Sequence, residues 1–198
     1  RNPLNLIRGL AQMIAMQAQR SPKLKEHAST IIEEADRVTV QLNEFINYSK
    51  PREAHLGPVE VRRLVADVAR TLVPDIEEKH ITLRQPDAPL VIESDEQLLR
   101  QALFNVLLNA TQAVAPGGVI EIRFAPTGAR EAMLEICDDG PGVPEEIRGS
   151  LFLPLVTARP NGTGLGLAVA QEMIHRNGGA IEYASEPGNT VFSVLLPL

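Results

Sequence analysis

Four short motifs follow one another in a fixed order along the second half of this chain: FNVLLNA over Phe104–Ala110, DDGPG over Asp138–Gly142, FLPL over Phe152–Leu155 and GTGLGL over Gly162–Leu167. No one of them decides a fold. Together they ask for a helix, a strand end, a mobile loop and a glycine-bordered helix N-terminus, which, gathered around one cavity, make a nucleotide pocket. Any architecture for the chain has to bring them together.

The chain has 198 residues, 44% of them hydrophobic, enough for one medium domain or a small domain beside a helical appendage. Its longest apolar runs, Met133–Cys137 and Phe192–Leu198, fall far short of the ~20 residues a membrane helix needs. The first residue is Arg1 and nothing near it resembles a signal peptide, so the sequence reads as a cytoplasmic piece of a longer protein. Any membrane attachment would come through segments outside it. A formal net charge of -6 argues against nucleic acid as the main partner, because phosphate backbones are held by positive surfaces. The single cysteine, Cys137, excludes an internal disulfide and a multi-cysteine metal site, and its apolar neighbours predict a buried strand thiol.

Residues 1–50 are helical in period and almost free of glycine. Leu4, Ile7, Ala11, Ile14 and Ala18 recur at steps of three and four, as do Leu24, Ala28, Ile31, Ala35, Val38, Leu42 and Phe45 after the Ser21-Pro22 break. This predicts an antiparallel helical hairpin. A second apolar row on the first helix, Leu6, Leu10 and Met13, needs another neighbour. A second copy completing a dimeric four-helix bundle supplies it, and packing on the C-terminal domain is the alternative.

After Lys50-Pro51 the pattern changes, with 51–56 reading as a linker and 57–198 as an α+β domain. Helices are predicted over 60–73, 94–115 and 164–176. Strands are predicted over 80–84, 90–92, 118–124, 132–137, 180–184 and 190–196, with 118–124 and 132–137 forming an antiparallel pair. The fold class is therefore a helical hairpin followed by a two-layer α/β sandwich with a mixed sheet and helices on one face.

Asn105 and Asn109 lie four residues apart and project from one helix face. Neutral carboxamides can supply oxygen to Mg²⁺ without repelling an anionic triphosphate; exposed helix asparagines are the plainer reading. Asp138 ends an apolar strand and runs into Asp139-Gly140-Pro141-Gly142, where a carboxylate beside bare backbone can accept from the amino group of adenine; an Asp-Gly turn is the alternative. Gly162-Thr163-Gly164-Leu165-Gly166-Leu167 leads directly into a helix, so N–H groups and the helix dipole can meet phosphate. It lacks both the βαβ setting of a dinucleotide fingerprint and the Gly-Lys-Ser/Thr of a P-loop. Between these motifs, Phe152 and Leu155 are expected to plug a loop bearing Thr157, Ala158 and Arg159, and Arg159 could neutralise a transferring phosphoryl group or be merely solvated.

Taken jointly, these residues resemble the N, G1, F and G2 boxes of sensor histidine kinases, a branch of the superfamily that includes gyrase-type and heat-shock-90-type ATPases. The resemblance covers essentially the whole chain. It implies ATP or ADP with Mg²⁺ as ligand, Asn109 on the metal with Asn105 as its partner, and Asp138 reading adenine with Gly140 and Gly142 in support. It further implies Gly162, Thr163, Gly164, Leu165, Gly166 and Leu167 around the phosphates, Thr157 and Gln112 nearby, and Thr190 beside the base.

In that family the opening Arg1-Asn2-Pro3-Leu4 follows a His-Glu-x triplet, so the phosphate-accepting histidine is expected immediately before Arg1. None of His27, His55, His80 and His175 stands in the right context. Asn2 falls where family members orient water for dephosphorylating the partner, a response-regulator receiver domain. Many members carry Lys where this chain has Gln112, which leaves Arg159 as the phosphate cation. That trait, a short lid and the RNPLNLIRGLAQ opening resemble the nitrogen-regulation type of kinase. The resemblance implies an ATP-dependent protein-histidine kinase core whose phosphoryl group passes to an aspartate of the regulator. A non-catalytic nucleotide-binding scaffold and an ATPase are the alternatives; the ATPase relatives place Glu where this chain has Asn105.

Overall fold

The structure, a computed structural model, describes residues 3–17, 23–32, 35, 54–126, 131–159 and 162–198. The chain separates into two compact units, Arg1–Lys50 and Pro51–Leu198.

In the first unit, α1 spans Pro3–Gln17 and residues 23–32 are again helical. Among the described residues the buried positions are alanines, Ala11, Ala28 and Ala35, whereas Ile7, Leu10, Met13, Ile14, Leu24 and Ile31 are exposed. Ile7 and Ile14, of the apolar row that includes Ala11, thus face solvent in the single chain. Among the described residues of this unit the fully enclosed side chains are small, and these bulky ones remain to be covered.

The second unit begins with β1 (Gly57–Glu60), paired antiparallel with β3 (Val91–Ser94) as a separate two-stranded sheet. Glu60 caps α2 (Val61–Thr71) by accepting from the N–H groups of Arg62 and Arg63. A short α3 (Val73–Glu78) follows, then β2 (Thr82–Arg84). The helix α4 (Glu96–Ala113) starts at Asp95, whose carboxylate accepts from Gln97 and Leu98, relieving two of the unpaired donors of the first turn. Leu98, Leu99, Ala102, Leu103, Val106, Leu107 and Ala110 form its buried stripe at helical spacing. Fully burying one such leucine stabilises by about 1.5–3 kcal/mol.

The helix α4 ends before Pro116, where the preceding residue is biased away from helical angles. Its terminal carbonyls are taken by one cation: Lys79 Nζ donates to the oxygens of Thr111 at 2.9 Å, Gln112 at 3.2 Å and Val114 at 3.1 Å. The chain then forms β4 (Val119–Pro126), β5 (Glu131–Asp138), the short α5 (Glu145–Arg148), α6 (Gly166–Arg176), β6 (Ala180–Glu186) and β7 (Asn189–Pro197). The five-stranded sheet has the order β2-β4-β5-β7-β6, with β2 parallel to β4 and the other pairs antiparallel. The predicted mixed sheet and the β4–β5 pairing are both present; β1, α3 and α5 add to the predicted elements.

On β7, Thr190, Phe192, Val194 and Leu196 are buried in strict alternation, and Ala132, Leu134 and Ile136 line the same face from β5. This face packs beneath α4 and α6, which also pack against each other. Cys137 is a buried free thiol, as predicted, and burial pushes it up from its ordinary range.

Candidate functional site

Direct cross-strand pairing places Asp138 of β5 opposite Thr190 of β7, and Thr190 opposite Ser185 of β6. Residues paired in this way share a sheet face, so the three form a polar row at one end of an otherwise apolar layer. Asp138 and Thr190 are each 4% exposed. The hydroxyls of Ser185 and Thr190 share a hydrogen bond of 3.0 Å, and Ser185 Oγ also accepts from the Val143 N–H at 2.8 Å.

The Asp138 carboxylate is only half satisfied. Its Oδ1 accepts from the Gly140 N–H at 3.0 Å, while Oδ2 is buried with no donor among the described residues. Burial pushes the carboxyl up to about 6; the Gly140 bond works against this, Asp139 adds to it, and the Arg159 charge works against it. A buried orphan acceptor is costly, and in a native structure it points to a ligand that supplies the missing donor. The adjoining backbone has no room for a side chain: a Cβ at Gly140 would lie 2.6 Å from Asp138 Oδ1, and one at Gly142, where φ is +87°, would lie 3.2 Å from the Glu186 carbonyl. Asp139 has a structural role instead, accepting from the Val119 N–H at 3.0 Å.

The helix α4 brings Asn105, Asn109 and Gln112 to this end of the domain, all at least partly accessible. Gly166 opens α6, and a Cβ added there would lie 4.0 Å from the Asn105 side chain, so the glycine segment and the first asparagine lie side by side. No described side chain caps α6, and its first N–H groups are left for another acceptor. Thr163 Oγ1 accepts from the Leu165 N–H at 3.2 Å, Leu165 is buried and Leu167 half-buried.

The loop from Leu151 is held differently from expectation. Leu151 is the buried plug, and Phe152 rests edge-on against Tyr183 with centroids 5.9 Å apart. Leu155 is 71% exposed and is no plug. Its backbone is the anchor: the Leu155 N–H donates to the Gly164 oxygen at 2.9 Å, and a Cβ at Gly164 would fall 2.5 Å from the Leu155 carbonyl carbon. Main-chain proximity, which only glycine permits, replaces side-chain burial there.

Arg159, at the far end of this loop, reaches α4. Its Nη2 donates to Asn109 Oδ1 at 2.9 Å and to the Asn109 main-chain oxygen at 3.0 Å, and its Nη1 donates to Gln112 Oε1. Burial pulls the guanidinium below its ordinary value, and Asp138 works against that shift. Thr157 Oγ1 accepts from the Arg159 N–H at 3.0 Å, fixing the turn that presents the arginine.

Thus Asn105, Asn109, Gln112, Asp138, Gly140, Arg159 and the Gly162–Gly166 segment converge, whereas Asn2 lies outside the described residues. Sequence reading missed Ser185, which only strand register reveals, and Lys79, which only the C-terminal carbonyls of α4 explain. Two cavities, of about 390 and 300 Å³, lie against α2 and the start of α4, and neither is lined by Asn105, Asn109, Asp138 or the glycine segment. Among the described residues no cluster of His, Cys, Asp and Glu could hold a metal ion, so a cation here would rest on carboxamide oxygen and on oxygens of its ligand. The donor set fits Mg²⁺ carried in by a polyphosphate, and the orphan Asp138 oxygen fits an adenine amino group.

Residues 94–198 match the family model described as histidine kinase-, DNA gyrase B-, and HSP90-like ATPase, and residues 1–54 match the His Kinase A (phospho-acceptor) domain. The sensory histidine kinase/phosphatase NtrB of Salmonella typhimurium is 36% identical across 100% of this chain, which spans 59% of that relative. The sensor histidine kinase ZraS of Escherichia coli is 32% identical across 100% of the chain, covering 43% of its own length. Among solved structures, histidine kinase ThkA in complex with response regulator protein TrrA superposes with a TM-score of 0.76 at 25% identity, over 100% of this chain and 58% of that one. Full-length ShkA in complex with AMPPNP gives 0.76 at 25% identity, over 98% of this chain and 43% of its own.

Proposed function

The chain belongs to the sensor histidine kinases, within the wider family of histidine kinase-, DNA gyrase B- and HSP90-like ATPases, and on that basis we propose that it binds Mg-ATP and donates the γ-phosphoryl group to a histidine on the helical unit. The observation that carries this reading is the buried, half-satisfied Asp138 carboxylate at the end of β5. Its free Oδ2 accepts the adenine amino group, with Thr190 and Ser185 completing the polar row. The bare backbone of Gly140 and Gly142 leaves the base room to enter.

The phosphates run towards the open N-terminus of α6, where glycine N–H groups and the helix dipole favour anions. Asn109, with Asn105 as its partner, would hold the metal, which when bound would neutralise phosphate charge. Gln112 and Arg159 stand on the phosphate side, where the guanidinium offsets charge on the phosphoryl group in flight. The chain needs no strong base, because a neutral imidazole is already nucleophilic near neutral pH. From the histidine the phosphoryl group passes to an aspartate of a receiver domain, as the solved ThkA–TrrA complex of a kinase with its response regulator supports. Asn2 is proposed to orient water for the reverse, dephosphorylating reaction.

The exposed Ile7, Leu10, Met13, Ile14, Leu24 and Ile31 support a homodimer, since a second hairpin would cover these side chains in a four-helix bundle. Domain boundaries of 1–50, 51–56 and 57–198 go with this assembly, and the kinase core is placed in the cytoplasm. Titration calorimetry with ADP and ATP tests the pocket, and incubation with ATP, Mg²⁺ and a separately supplied histidine-bearing hairpin tests transfer. Acid-labile phosphate on that hairpin is expected. Steady phosphate release without acceptor would instead identify an ATPase.

A further inference from the structure

Arg159 is seated on α4 by more contacts than a solvated loop arginine makes. Its guanidinium spans the side-chain and main-chain oxygens of Asn109 and the side-chain oxygen of Gln112. All three acceptors lie in the last turns of α4, whose C-terminal carbonyls make that end electronegative. Lys79 already neutralises the carbonyls of Thr111, Gln112 and Val114. Arg159 is a second cation at the same helix end, and it takes the carboxamide oxygen that the proposed function gives to the metal. Competition at that oxygen rests on Asn109 being the metal ligand.

A carboxamide carbonyl has two lone pairs, but a guanidinium and a dication on one neutral oxygen repel each other strongly at such close range. Occupation by one therefore opposes occupation by the other. We propose that Arg159 is a displaceable internal counter-ligand of Asn109: without nucleotide the guanidinium holds the carboxamide oxygen, and the metal that arrives with the nucleotide exchanges with it. The exchange releases Arg159 from α4 to meet the γ-phosphoryl group, which ADP lacks, so that one event seats the metal and positions the cation of the loop. Gln112 is what makes the seat possible, because a lysine there would repel the guanidinium. Thr157 fixes the turn from which Arg159 swings. Arg159 acts on metal binding through Asn109 and is, in that respect, a positioning residue.

The test is calorimetry on the whole chain with ADP, once with Mg²⁺ and once with EDTA, for the wild type, Arg159→Ala, Arg159→Lys and Gln112→Ala. Exchange predicts that Arg159→Ala raises the ratio of Mg-ADP to metal-free ADP affinity by roughly fivefold, the low end of ordinary coupling between ligands. Arg159→Lys, which keeps the charge but loses the planar fork, should also raise it, and Gln112→Ala should do so by less. An unchanged or lower ratio in Arg159→Ala, with the wild type binding ADP, would overturn the exchange while leaving the nucleotide site intact. Failure of the wild type to take up ADP at all would overturn the site assignment itself. An independent readout is the ¹⁵N signal of Arg159 Nε: it should shift with Mg-ADP and stay with metal-free ADP, and equal shifts with both would refute the exchange.

Discussion

Asp138 and Thr190 face each other across β5 and β7 as directly paired residues, both buried, yet the carboxylate oxygen Oδ2 has no donor among the described residues. The fold therefore carries a charged group that destabilises it unless a ligand completes the hydrogen bonding.

Replacing Asp138 with Asn is accordingly expected to remove nucleotide binding and to raise the melting temperature. The folded carboxyl, at about 6, lies above its ordinary 3.8, so the native state keeps a proton that the unfolded chain has released. The stability owed to this group is full below that lower value, is lost as pH rises through about 6, and stays lost above. Two pKa units correspond to about 2–3 kcal/mol, of which Asp138→Asn should recover a part near neutral pH, since it keeps the Gly140 hydrogen bond but puts an unpaired amide in place of Oδ2. Thermal melts at pH 5 and pH 8 check this; a variant no more stable than wild type at pH 8 would contradict it.

Adenine recognition should itself depend on pH. Only the ionised carboxylate is a pure acceptor, so affinity for adenosine, which has no phosphate to titrate, should be level above pH 7 and fall as pH drops through about 6. Equilibrium binding across that range gives the answer, and a flat profile would place the base elsewhere.

Much of the fold and the site is legible in the sequence, for physical reasons that differ by element. The strands β4, β5 and β7 are long, rich in branched residues and alternate, so their period leaves little ambiguity. By contrast β1 is four residues long and contains Gly57 and Pro58, and α3 has Pro74 in its first turn, so neither repeats long enough to show a period. Asn105, Asn109 and Asp138 are legible because their spacing and position at element ends are local facts. Gln112 is legible only as a departure from a pattern; its contact with Arg159, 47 residues away, belongs to tertiary structure. Leu155 misleads because its hydrophobicity implies burial, whereas the loop is held by backbone against Gly164.

That backbone contact is open to test. Gly164 has φ +67°, and an added Cβ would fall 2.5 Å from the Leu155 carbonyl carbon and 2.6 Å from the Val156 nitrogen. Gly164→Ala should release the loop at a local cost on the order of 1–3 kcal/mol. Amide exchange at Leu155 should then speed up and nucleotide affinity fall, while exchange in β5 and β7 stays slow. Unaltered exchange at Leu155 would show that the loop is held by something other than this contact.

A last expectation separates stability from the site. Asn177, 2% exposed at the end of α6, accepts through Oδ1 from Ser94 Oγ at 2.9 Å and from the Asp95 N–H at 2.7 Å, and donates through Nδ2 to the Met173 oxygen at 3.1 Å. It thereby ties α6 to the end of β3 and to the residue that caps α4. Asn177→Ala removes the oxygen that accepts from the buried Ser94 hydroxyl and from the Asp95 N–H, and losing the acceptor of a buried donor costs about 1–3 kcal/mol. Denaturant melts should show a loss at the upper part of that range. None of these atoms belongs to the Asp138 row or the glycine segment, so the folded fraction of Asn177→Ala should bind ADP with wild-type affinity. A variant that loses affinity as steeply as stability would show that the α4–α6 junction sets the geometry of the pocket, beyond holding the two helices together.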